Sequence, residues 1–269
     1  MDLTPLNKLL DLSSKTAIVT GGARGIGLGI TYRFAEAGAN VVIADIDGQK
    51  TIESAQQFKS KGWQTLAITC DVSKADDVDK MVSETVKTFG AIDILVNNAG
   101  IFPNILVMNM REEDFDKVID VNLKSAFLCT QRVAKQMIAQ ARGGKIINIT
   151  SIDALHPSSA GLAHYDASKH GVWGFTKNTA LELAPHKIWV NAIAPGGIAT
   201  PGVEKVQKSL ELPKGVDISK LLENFMAKIP MKRMGETDDI GKVALFLASD
   251  MSSYITGTQI VVDGGVLLS

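Results

Sequence analysis

A chain of 269 residues, 45% hydrophobic and 21% charged, has room for a sizeable buried core, and its net charge of −1 offers no excess to hold a polyanion. Nucleic acid is therefore not an expected partner, and no uninterrupted apolar run approaches the ~20 residues that span a bilayer. Residues 1–15 carry Asp2 and Asp11 among scattered leucines, with no basic segment or continuous apolar stretch of a secretory signal, so a cytoplasmic protein without a membrane partner is expected.

Leu3, Leu6, Leu9 and Leu10 suit either one short amphipathic turn or a loosely ordered lead-in, and 1–14 reads as an N-terminal extension. Short β-branched runs then alternate with longer stretches of helical period. Strands are expected at Thr16–Thr20, Val41–Asp45, Thr65–Thr69, Ile92–Val96, Lys145–Ile149, Trp189–Ile193 and Gln259–Val262. Helices are expected near 26–37, 49–61, 75–89, 113–141, 165–184 and 238–248. Several strands are apolar throughout, as strands buried on both faces are. The alternation predicts one α/β domain over 1–269, a doubly wound seven-stranded parallel sheet with helices on both faces. The stretch 197–230 is long and strand-free, which suits a substrate-binding loop or lid. Cys70 and Cys129 have no metal spacing and read as free thiols or one long-range disulfide. No pair among the four histidines has zinc-like spacing with further ligands, so no metal is expected.

The first specific signal lies where strand Thr16–Thr20 runs into Gly21-Gly22-Ala23-Arg24-Gly25-Ile26-Gly27 and then into a helical pattern. Glycines let backbone approach a pyrophosphate, and the helix N-terminus adds N–H groups and a positive dipole end. Tight turns use glycine too; the position between first strand and first helix is what points to a dinucleotide-binding Rossmann fold. Asp45 ends the second strand, 20 residues after Gly25, where a carboxylate accepts from the adenosine ribose hydroxyls and repels a 2′-phosphate. Asp47 adds to that repulsion, so NAD is favoured over NADP as the cofactor. Arg24 is the counterweight: its guanidinium either reaches a 2′-phosphate or is a solvated loop arginine.

With these motifs in order, the chain resembles the short-chain dehydrogenase/reductase family from Lys15 to Gly265. The resemblance implies that Gly21, Arg24, Gly25, Ile26 and Gly27 form the cofactor loop, with Asp45 and Ile46 at the ribose and Asp71 and Val72 at the adenine. Asn97-Asn98-Ala99-Gly100 stands where that family has its NNAG segment, giving Asn98, Ala99 and Gly100 a cofactor role. Pro195, Gly196, Ile198 and Thr200 match the segment that holds the nicotinamide end, and Asn122, Ser151, Tyr165 and Lys169 fall at the places of the catalytic tetrad. One departure is the spacing of 14 residues between Ser151 and Tyr165, about one more than is common in the family.

Tyr165 and Lys169, four residues apart on a helix, project from one face. A phenol ionises near pH 10, and a nearby ammonium together with oxidised nicotinamide lowers that value, so Tyr165 can exchange a proton with an alcohol as hydride leaves or returns. Ser151 would hydrogen-bond the substrate oxygen. Both Tyr165 and Lys169 would also touch the cofactor, and the resemblance implies that Asn122 holds a water linking Lys169 to solvent. Taken singly, each has a plainer reading: a solvated helix face, a turn serine, a capping asparagine.

Around them, Ser151, Asp153, His156, His164 and Tyr165 are the substrate-binding candidates, with Ile101, Phe102 and Leu155 as apolar walls; the histidines could equally cap or pack. Methionines in 226–234 read as pocket or interface lining. Phe127, Val133, Met137, Val172, Trp173 and Phe175 exceed what one buried stripe requires. The resemblance makes that surplus a subunit contact and a homotetramer the expected assembly.

The expected activity is oxidation of a secondary alcohol, or reduction of its ketone, on a sugar, polyol or other small hydroxy compound. The alternatives are a 3-oxoacyl-thioester reductase, which would favour NADP and a basic carrier-binding patch, and a non-catalytic NAD-binding sensor. A sugar epimerase fits the glycine spacing and chain length poorly.

Overall fold

The computed structural model describes residues 3–201 and 226–269. In chain order its main elements are β1 (Thr16–Thr20), α1 (Gly25–Glu36), β2 (Asn40–Asp45), α2 (Gly48–Lys59), β3 (Thr65–Thr69), α3 (Ala75–Phe89) and β4 (Ile94–Asn97). They continue with α4 (Glu112–Ile119), α5 (Ser125–Gln140), β5 (Gly144–Ile149), α6 (Ala163–Leu183), β6 (Ile188–Pro195), α7 (Thr237–Ala248) and β7 (Gln259–Val262). The strands form one parallel sheet in the order β3-β2-β1-β4-β5-β6-β7. The order reverses between β1 and β4, which opens a crevice at their carboxyl ends, as doubly wound sheets do.

Side-chain alternation sorts the strand residues between two cores. Ile18, Val42, Leu95, Ile146 and Val190 face α3, α5 and α6 through Val78, Met81, Leu128, Val133 and Met137. Ala17, Val19, Val41, Val96 and Ile147 face α1 and α7 through Ile30, Phe34, Ile240 and Leu247. A smaller cluster seats Ala55 and Phe58 of α2 against Ile43. Each of these fully buried large side chains contributes roughly 1.5–3 kcal/mol by leaving water. The central strands have no solvated face, which is why their sequences are apolar without alternation.

A polar chain crosses this apolar interior. Asn97 Nδ2 donates to Thr130 Oγ1 (3.0 Å) and Asn148 Oδ1 (2.8 Å), and Asn148 Nδ2 donates to Thr176 Oγ1 (2.9 Å). It ties α5 and α6 to the carboxyl ends of β4 and β5, where the crevice lies. Buried amides strongly favour hydrogen-bonded partners, and these specify one another, although Asn97 Oδ1 has none among the described residues.

Four sequence expectations need correction. The helix expected over 113–141 is two helices joined by a π turn, Asp120–Lys124, because Asn122 turns its side chain to the 100–101 loop. β4 begins at Ile94 rather than Ile92: the Asp93 carboxylate, not a carbonyl, takes the Thr16 N–H (3.0 Å). The N-terminal segment is held at Leu12, which is buried and donates its N–H to Ala37 O, while Leu3 and Leu6 stay exposed around a turn at Leu6–Lys8. Val133, Met137 and Val172, expected on a surplus surface, are core residues; Phe127 remains 43% exposed. Cys70 and Cys129 are both free and buried. Of the expected lid, residues 202–225 lie outside the described residues. Among the described residues no helix is long and apolar enough to cross a membrane.

Candidate active site

A cleft of about 860 Å³ runs along the carboxyl ends of the strands. At one end the glycine loop closes on itself. Gly21 and Gly25 have φ of +60° and +55°, a region that disfavours side chains, and a Cβ on Gly27 would stand 2.1 Å from Gly21 O. Gly27 therefore builds the turn from behind, while Gly21, Arg24, Gly25 and Ile26 line the cleft. Thr20 and Asn98 clamp the loop: Thr20 Oγ1 accepts the Asn98 and Ala99 N–H groups (3.0 and 3.1 Å), and Asn98 Nδ2 donates to Thr20 O (2.8 Å) and Gly21 O (3.1 Å).

Asp45 stands buried at the end of β2 and also lines the cleft. Its oxygens accept the Ala23 N–H (3.2 Å) and the Asp47 N–H (3.1 Å), which fix the carboxylate against the loop and leave it further accepting capacity. Arg24 pairs with Asp47 across the mouth. The guanidinium weighed against Asp45 in the sequence thus has a carboxylate partner, in a pair exposed on both sides. Ile46, Asp71 and Val72 complete this end. Burial raises the Asp71 carboxyl, but hydrogen bonds from Ser73 and Lys74 outweigh it and hold the group below the usual range. Ala99, Gly100, Pro195, Gly196, Ile198 and Thr200 line the middle of the cleft.

The far end gathers Ser151, Tyr165 and Lys169. Ser151 follows β5, and Tyr165 and Lys169 stand one turn apart on α6, with Lys169 Nζ 5.7 Å from the tyrosine ring centre. Ser151 and Tyr165 both line this end of the cleft despite the longer spacing between them, which the loop 152–164 absorbs. Burial pushes the Tyr165 phenol well above its usual value; Ser151 opposes that, while the charges of Asp153 and Asp166 add to it. The protein alone therefore favours the neutral phenol, and the expected lowering needs the oxidised nicotinamide beside Lys169. Lys169 spends a hydrogen bond on Ile149 O (2.8 Å), and burial pushes its ammonium down to about 8, so it stays mostly cationic at neutral pH.

Asn122 does not reach the cleft. Its Oδ1 accepts the Ile101 N–H (2.8 Å), and its Nδ2 donates to Ile101 O (2.9 Å) and Ser168 Oγ (3.0 Å). A Cβ on Gly100 would stand 3.3 Å from Asn122 Oδ1 and 3.6 Å from Lys169 Nζ, so the two side chains meet behind this glycine.

Among the substrate candidates, Asp153 lines the cleft but the histidines do not. His164 is fully buried and turns toward Asp114 of α4, and His156 is exposed with Nδ1 3.0 Å from Pro157 O. Ile101 and Phe102 are walls as expected; Leu155 is not, standing 47% exposed outside the cleft. Met226, Met231 and Met234 do not line it either. The sequence reading gave no role to Lys117 and Val121, which line the cleft from the end of α4 and from the π turn that follows it.

Comparison with known proteins agrees with this geometry. Residues 21–267 match a family model described as enoyl-(acyl carrier protein) reductase. The crystal structure of a short-chain type dehydrogenase/reductase from Mycobacterium marinum superposes with a TM-score of 0.90 at 36% identity, covering 97% of this chain and 99% of that one. The chain belongs to the short-chain dehydrogenase/reductase family. It is an oxidoreductase, and the family works with a nicotinamide cofactor. Similar members include a 3-oxoacyl-acyl-carrier-protein reductase FabG of Staphylococcus epidermidis, 42% identical over 95% of this chain and all of the relative. A diacetyl reductase, (S)-acetoin forming, of the same species is 39% identical over 94% of this chain and 99% of its own.

Proposed function

We propose that this family member is an NAD-preferring dehydrogenase that interconverts a secondary alcohol and its ketone on a small hydroxy compound such as a polyol or sugar. The observation that carries this reading is the meeting of Ser151, Tyr165 and Lys169 at one end of a cleft whose other end is set by buried Asp45. NAD, when bound, supplies the hydride acceptor and, in its oxidised form, a positive charge.

Asp45 would bind the adenosine ribose, and its charge disfavours a 2′-phosphate. The glycine loop and the amino end of α1 would hold the pyrophosphate, Asp71 and Val72 the adenine, and Pro195, Gly196, Ile198 and Thr200 the nicotinamide end. The protein holds the Tyr165 proton in place until a further positive charge arrives; for oxidation that proton would first pass to solvent and the phenolate would then take the alcohol proton, while for reduction the phenol would give its proton to the ketone oxygen. Ser151 orients the substrate oxygen, and Lys169 contributes the neighbouring cation. Asn122 positions the Gly100–Ile101 loop against Lys169, consistent with a water relay to solvent. A cytoplasmic homotetramer is proposed with it, in line with exposed Phe127 on α5.

The relatives favour a second reading, reduction of a 3-oxoacyl thioester, because the first of those named carries that activity in its name. The pairing of Arg24 with Asp47 and the placement of Asp45 count toward NAD. Nicotinamide reduction, followed by absorbance over polyols, aldoses and simple secondary alcohols with NAD and NADP, tests the proposal. Acetoacetyl thioester with NADH and NADPH is run beside them. NADH formation from an alcohol is expected; turnover of the thioester alone, with NADPH alone, would overturn both substrate and cofactor.

A further inference from the structure

Two residues past Ser151 lies a carboxylate that the hydride-transfer chemistry does not require. Asp153 is 7% exposed and opens onto the cleft beside Ser151 and Tyr165. Its Oδ2 accepts the Ser151 hydroxyl (2.7 Å), its Oδ1 accepts the Ser158 N–H (2.9 Å), and its own N–H donates back to Ser151 Oγ (3.1 Å). A carboxylate offers about four acceptor positions, and the protein fills two. No basic side chain pairs with it among the described residues, so a buried negative charge is left short of donors, a costly state. A second carboxylate, Asp166 on α6, lies close enough for the Asp153 charge to raise its proton affinity.

This placement has chemical consequences. The Ser151 proton points to Asp153, so Ser151 Oγ meets the cleft mainly as an acceptor. A bound alcohol would donate there or to Tyr165. A hydroxyl on the next carbon lies about one hydrogen-bond length from the first, the same separation as Ser151 Oγ and Asp153 Oδ2. A simple alcohol, a 3-oxoacyl thioester or a diketone presents no such donor, and an acid or phosphate at that position meets like charge.

Resting on the dehydrogenase reading above, we propose that Asp153 is a specificity residue that receives a hydroxyl on the carbon next to the reacting one, so that the site selects uncharged vicinal diols and α-hydroxy ketones. A site built to bond a hydroxyl discriminates strongly against the analogue that lacks it, because its buried acceptor is then left unpaired.

The test compares kcat/KM for the stereoisomers of 2,3-butanediol with that for 2-butanol, in the full-length wild type, Asp153→Ala and Asp153→Asn, with folding checked by thermal unfolding and NADH binding. Wild type is expected to favour its best diol on the order of 10²-fold, Asp153→Ala to bring that ratio within about tenfold of unity, and Asp153→Asn to fall between. Asp153→Asn carries the test if the alanine variant does not fold. A wild-type ratio near unity, or an unchanged ratio in the variants, overturns the proposal while leaving the dehydrogenase reading intact. If neither alcohol turns over, saturation-transfer NMR of the diol on the NADH-loaded protein decides. Binding that the variants lose sustains the role of Asp153 and moves the failure to the dehydrogenase reading; absent or unchanged binding overturns the proposal.

Discussion

Asp45 illustrates how one side chain serves architecture and selectivity together. Its two backbone donors are the Ala23 and Asp47 N–H groups, so it braces the glycine loop as well as facing the cleft. Asp45→Ala is expected to weaken NADH binding by roughly tenfold to a hundredfold, the worth of hydrogen bonds to a charged group, and to narrow the preference over NADPH. Fluorescence titration with both cofactors measures it; unchanged NADH affinity would remove Asp45 from the ribose site. Asn122 acts at one remove. Its loss removes the acceptor of the part-buried Ile101 N–H, a cost of about 1 kcal/mol, and frees the loop beside Lys169. Asn122→Ala should lower kcat at least tenfold while changing KM less, which steady-state kinetics would show. At this scale the sequence was most informative for residues whose chemistry is unusual in place: an acid ending an apolar strand, glycines between strand and helix. It was least informative for histidines, because His164 and a ligand-binding histidine look alike in one dimension, and only packing against α4 separates them.

At the scale of elements, β1 was read to the residue because burial on both faces leaves an apolar run, and the part-exposed edge strands β3 and β7 also fall where expected from their β-branched residues. The π turn between α4 and α5 was invisible, since one inserted residue barely disturbs an apolar period and its cause, the Asn122 contacts, is tertiary. The Asn97–Asn148–Thr176 chain was illegible for the same reason. Asn148→Ala would remove one partner each from Asn97, which keeps Thr130, and Thr176, which keeps Val172 O, and a loss of about 1–3 kcal/mol is expected in urea unfolding. Lys145, opening β5, makes a pH-dependent case. It is buried against Ser252 (3.1 Å to Oγ) and the Trp189 ring (4.3 Å), and burial pushes its ammonium down to about 8. Because the folded value lies below the unfolded one, near 10.4, the unfolded chain holds the extra proton between those two pH values. Stability from this group is therefore lowest below pH 8 and rises toward pH 10. Lys145→Met should exceed wild type by about 1–2 kcal/mol at pH 7.5, after discounting for solvent screening, with the gap narrowing through pH 9.5 and closing only above the unfolded value near 10.4. A gap independent of pH would contradict the assignment.

For the molecule as a whole, the doubly wound sheet explains why groups from six of the seven strands meet: Gly21, Asp45, Asp71, Asn98, Ser151 and Pro195 all lie at or just past carboxyl ends. That convergence was legible because motif order along the chain maps directly onto strand order. Assembly was less so, since Val133 and Met137 on α5 and Val172 on α6 fill the core, while Phe127 and Ile138 on α5 and Leu181 on α6 are exposed. Light scattering is expected to give about four chain masses, with Phe127→Glu shifting the population to smaller species; a wild-type monomer would contradict the proposed tetramer. The central claim is direct hydride exchange governed by Tyr165. The most direct measurement feeds the enzyme a secondary alcohol deuterated at its carbinol carbon, with NAD, and follows the label by mass spectrometry in wild type and Tyr165→Phe. The account predicts one deuterium on the reduced nicotinamide, with turnover falling on the order of 10²–10⁴-fold in the variant while NADH binding persists. Label lost to solvent, or a Tyr165→Phe enzyme as fast as wild type, would contradict it.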